Sequence, residues 1–102
     1  MPMLHTVNKS PFEKTTFESC LNHARPGDAV LLIEDGIYAA VKGTAVADRI
    51  AGLNGDLSLY ALGPDLAARG IQETALCDGI SVVDYGGFVD LVAEHDVTQT
   101  WL

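Results

Sequence analysis

Positive charge is scarce in this 102-residue chain: six Lys and Arg stand against fourteen Asp and Glu, a net charge of −8. A protein that neutralises phosphates needs cations to displace counterions, so direct nucleic-acid binding is excluded as an expectation. The same deficit disfavours an anionic membrane surface. No apolar run approaches the roughly 18 residues that cross a bilayer. The start, MPMLHTVNKSPF, has no basic lead followed by an apolar stretch, so a cytoplasmic protein without a secretory signal is expected.

Metal-binding patterns are missing too. His5, His23 and His95 are scattered, and no H-x-x-x-H or C-x-x-C spacing occurs, which argues against a metal site. There is no Walker lysine or G-x-G-x-x-G, and no recognisable Ser/His/Asp grouping, so neither a nucleotide cofactor nor a hydrolase is indicated. Two cysteines, Cys20 and Cys77, are too few for a disulfide framework and read as reduced thiols.

What the chain does have is a 48% hydrophobic composition arranged in alternating segments. Met3–Val7 reads as a strand. Ser10-Pro11, with Glu13 three residues on, has a capping-box pattern that predicts a helix start there. Phe17, Cys20, Leu21 and Ala24 then share one helical face. "AVLLI" at Ala29–Ile33 is continuously apolar, as expected of a strand covered on both sides. Asp35-Gly36 breaks it. A helical turn at Ile37–Val41 and a helix at Ala45–Leu53, ending around Gly52 to Gly55, follow. Leu57–Leu62 is a third strand, Pro64–Arg69 a short helix stopped by Gly70, and Ile80–Val83 a fourth strand. Phe88–His95 is a helix after a Gly86-Gly87 turn, and Thr98–Leu102 a final edge strand. This alternation predicts one α/β domain over residues 1–102: a small three-layer sandwich with a mostly parallel sheet of about five strands.

Cys20 admits two readings. As a thiolate it would attack a sulfur donor and hold the sulfur as a persulfide, with His23 one turn on as a cationic helper. As part of the Phe17–Leu21–Ala24 stripe it is a small core hydrophobe, and its late position in the helix and the nearby Glu13 and Glu18 disfavour an anion. Cys77 beside Asp78 reads as incidental. Gly86-Gly87 offers backbone N–H groups to an anion, as in a stand-alone flavodoxin-like binder, but without a fuller motif. Trp101 either covers the chain's own core or docks on another subunit.

Several blocks together resemble the DsrH/TusB family: "MLHTVNKSPF", "LLIEDGIYAAV", "LYALGPDLAARGI" and "ISVVDYGGFVDLVAEHDVTQTWL", in order and across nearly the whole chain. The resemblance implies a DsrE-like α/β fold and a subunit of a DsrE/DsrF/DsrH or TusD/TusC/TusB sulfur relay, a cofactor-free heterohexamer with two copies of each of three subunits. It further implies a TusA-like donor, a DsrC/TusE-like acceptor, and a main active cysteine on the DsrE-like partner rather than on this chain. A cysteine at position 20 resembles the DsrH type of sulfur oxidisers. The expectation is therefore a DsrEFH-type subunit with Cys20 as candidate persulfide carrier and His23 as support. The alternatives are a TusB-type subunit for tRNA wobble-uridine 2-thiolation, or a non-catalytic assembly subunit.

Overall fold

A computed structural model describes residues 2–53 and 56–102. In chain order the elements are β1 (Met3–Val7), α1 (Thr16–His23), β2 (Ala29–Leu32), a 3-10 helix at Glu34–Ala40, α2 (Ala47–Leu53), β3 (Ser58–Leu62), α3 (Gly63–Ala68), a 3-10 turn at Glu73–Ala75, β4 (Ile80–Val83), α4 (Tyr85–Glu94) and β5 (Val97–Trp101). The strands form one sheet in the order β4-β3-β2-β1-β5, and every pairing is parallel. The α/β sandwich is as expected, with the sheet wholly parallel.

Register neighbours share a sheet face, so the layers follow directly. Val7, Val30, Leu32, Leu59 and Ala61 point to one side and pack with Phe17, Cys20 and Leu21 of α1, Ile50 of α2 and Leu66 of α3. Leu4, Ala29 and Leu31 point to the other and meet Leu91 of α4, with Phe88, Tyr60 and Val83 alongside. The reason is handedness. From β1 to β4 the chain advances in one direction, and right-handed crossovers keep those helices on one face. The step from β4 to β5 runs back across the sheet, so its helix must lie on the opposite face.

Two helix starts, those of α1 and α4, differ from expectation. The first helix begins at Thr16, not at Ser10-Pro11. The Ser10 hydroxyl accepts the Phe12 N–H (3.2 Å) and the Ser10 carbonyl accepts the N–H groups of Glu13 and Lys14, closing a separate turn. Residues 12–15 are exposed, so no apolar contact extends the helix backwards. Gly86 and Gly87 lie inside the first turn of α4 rather than before it, because Asp84 caps the helix by accepting the Gly87 N–H at 2.8 Å. A Cβ on Gly87 would stand 2.8 Å from Val83 Cβ, so a side chain is sterically excluded there. The last two residues of the expected α2 stop, 54 and 55, lie outside the described residues. Among the described residues no helix is long and apolar enough to cross a membrane.

Candidate functional site

α1 places Cys20 and His23 on different surroundings despite their i, i+3 spacing. Cys20 points into the core beside Phe17 and Leu21 and is 0% exposed. Burial, reinforced by the negative charge of Asp28, pushes its thiol from 9.0 up to about 12. In this conformation the sulfur packs as a buried thiol within the core. His23 is exposed at the helix end. Its Nδ1 lies 2.8 Å from the Ser19 carbonyl, an acceptor, so Nδ1 carries the proton and Nε2 is free. Its ring packs against Trp101 in a tilted contact, with centroids 5.2 Å apart and planes at 49°. The imidazole thus serves the β5 side of the sheet, and burial and Asp28 account for the Cys20 shift without it.

The polar centre of this region is a triad whose members are far apart in sequence. His5 lies mid-strand on β1 and is 2% exposed, while Asp28 sits just before β2 and is 3% exposed. Indole N–H is a donor only, so the 3.0 Å contact from Trp101 Nε1 fixes His5 Nδ1 as acceptor. His5 Nε2 therefore bears the proton and donates to Asp28 Oδ2 at 2.9 Å. Asp28 also accepts the N–H groups of Met3 (2.9 Å) and Arg25 (3.0 Å). Burial alone would raise its carboxyl, but the His5, Met3 and Arg25 hydrogen bonds outweigh that and hold it below its ordinary 3.8. Both ring nitrogens of His5 are committed, so the triad fastens β1, the β2 entry and β5 together and leaves no spare base.

Above the triad lies a groove of about 430 Å³ lined by Met3, His5, His23, Arg25, Asp28, Gln99 and Trp101. Arg25 makes no side-chain ion pair among the described residues. Among the described residues no three His, Cys, Asp or Glu side chains converge to hold a metal.

The profile of the family described as DsrH like protein matches residues 9–98. The Protein TusB of Pectobacterium parmentieri is 35% identical over 99 residues, 97% of this chain and the whole of that protein, and the Protein TusB of Shigella flexneri is 38% identical over the same span. This chain belongs to the DsrH/TusB family. Among solved structures, the E. coli ychN protein superposes with a TM-score of 0.86 at 14% identity, covering 99% of both chains. A protein of unknown function from Methanobacterium thermoautotrophicum gives 0.72 at 17% identity, covering 93% and 94%. At such identities these show a shared fold.

In this DsrH/TusB chain Cys77 is the more accessible thiol. It lies half-buried at a groove of about 310 Å³ with Lys42 and Asp78, and its N–H donates to the Ala40 carbonyl at 2.7 Å. Burial leads in raising its pKa, with Asp78 adding to the effect against its own backbone hydrogen bond and Lys42. The anion-binding idea at Gly86-Gly87 is closed off: the Asp84 carboxylate already occupies the Gly87 N–H. Sequence reasoning missed His5 and Asp28. The available signal was a histidine in the middle of a strand expected in the sheet, where a buried polar ring needs a partner.

Proposed function

We propose that this chain is a non-catalytic assembly subunit of a cytoplasmic sulfur-relay complex. In this reading it positions partner subunits while the persulfide travels on a cysteine of a DsrE/TusD-like partner. The observation that carries the reading is the burial of Cys20: a sulfur with no exposed surface, held as a thiol, neither attacks a donor nor meets an acceptor. The complex comprises two copies of each of three related subunits, fed by a TusA-like donor and emptied by a DsrC/TusE-like acceptor. No cofactor is required, because thiolate exchange moves sulfane sulfur unaided.

Relatives that carry the name TusB favour the branch leading to 2-thiolation of the tRNA wobble uridine at least as much as sulfur oxidation. The charge of −8 fits either, since sulfur passes to a protein and not directly to RNA. A second reading keeps Cys20 as a carrier that becomes reachable when α1 lifts from the sheet, with His23 freed to stabilise the thiolate. It is favoured by the placement of His23, three residues from Cys20 on α1, in the wall of the 430 Å³ groove.

Exposing the assembled complex to a persulfide donor and weighing each intact subunit separates the two. The assembly reading expects the mass of one sulfur, about 32 Da, on the DsrE/TusD-like subunit and none on this chain. A gain on this chain that disappears in Cys20→Ser would establish the carrier role instead.

A further inference from the structure

α4 is apolar on two sides. Its inward stripe, led by Phe88 and Leu91, closes over Leu4, Ala29 and Leu31. Its outward stripe, Tyr85, Val89 and Val92, recurs at i, i+4 and i+7 and is 61%, 67% and 43% exposed. A helix that is apolar around most of its circumference belongs inside an assembly. Topology explains why it is uncovered here: the single β4-to-β5 crossover gives this face one helix for five strands. The same sheet face lies open at Ser58, Tyr60 and Ser81, which line a groove of about 410 Å³.

We infer that the outward stripe of α4 is the docking surface for a different protein chain, one that presents apolar side chains rimmed by Lys or Arg. Charge decides against a second copy. Residues 70–102 contain Glu73, Asp78, Asp84, Asp90, Glu94 and Asp96 and no Lys or Arg, since Lys9, Lys14, Arg25, Lys42, Arg49 and Arg69 all precede them. A second copy docked through α4 would bring the same uncompensated acidic segment against this one. A basic rim converts that repulsion into steering and register. The inference deepens the proposed function and rests on it in one respect: the partner is taken to be another relay subunit.

The test co-expresses the tagged chain with the DsrE/TusD-like and DsrF/TusC-like subunits of its own genome, then measures assembly by light scattering and affinity by calorimetry. The isolated chain should be monomeric. Val89→Asp should weaken the complex at least roughly tenfold with an unchanged circular-dichroism spectrum, and Val89→Ser should act in the same direction. Asp90→Lys with Glu94→Lys should weaken it too and flatten its salt dependence. Full affinity in both Val89 variants overturns the surface while leaving the relay reading standing. A homodimer abolished by Val89→Asp, or tighter binding after charge reversal, overturns the basic-rimmed partner. If the wild-type chain binds neither subunit, the relay reading falls and this assignment of the partner falls with it.

Discussion

Replacing Trp101 by Phe keeps most of the aromatic surface but removes the indole N–H that reaches His5 Nδ1 at 3.0 Å. The hydrogen bond itself contributes about 0.5–1.5 kcal/mol net, and an unsatisfied buried acceptor costs about 1–3 kcal/mol. His5 is 2% exposed, so water does not replace the donor without opening the strand. The expected loss is therefore about 2 kcal/mol, or roughly 8–16 °C in Tm for a domain near 100 residues. Urea denaturation followed by circular dichroism measures it, because the variant has lost the chain's one tryptophan. Gln99→Ala, a neighbour on the same exposed edge strand, should change stability by less than about 0.5 kcal/mol. Nitrogen NMR of wild type should show His5 as the Nε2–H tautomer. A Trp101→Phe loss no larger than that of Gln99→Ala, or an Nδ1–H tautomer, would refute the clasp.

Further expectations concern the same network and its surroundings. Asp28 has a folded pKa below its ordinary 3.8, so its contribution is present above that value and is lost as pH falls through 3.8 and toward the folded value. Acid titration of stability should show this loss in wild type and a flatter curve in Asp28→Asn. Iodoacetamide under native conditions should alkylate Cys77 before Cys20, read by peptide mass spectrometry, with Cys20 reacting on unfolding. Equal rates would mean that α1 opens readily, which would favour the carrier reading. Glu34 holds a left-handed backbone at φ +48°. Glu34→Gly should accordingly stabilise the protein by about 0.5–1 kcal/mol in thermal unfolding, and a loss there would show that its N–H bond to Asp65 depends on the side chain.

The sequence by itself determined the elements and their class. "AVLLI" has no polar position to turn outward, so it had to be a strand covered on both faces, and β2 is buried throughout. Gly70, at φ +69°, ends the short third helix by adopting a conformation that costs other residues more. The amphipathic stripe of Phe17, Cys20 and Leu21 likewise named the buried face of α1, though it left the chemistry of the sulfur open. Tertiary structure decided that question's physical terms, because pKa depends on the dielectric and charges around the atom, and Asp28 is eight positions away along the chain. It also decided the start of α1, where a local Ser10 turn and the want of apolar contacts overrode a capping pattern. The His5–Asp28–Trp101 clasp lay beyond sequence reasoning because three segments, from both ends of the chain and the loop before β2, meet only once the parallel sheet sets β5 beside β1.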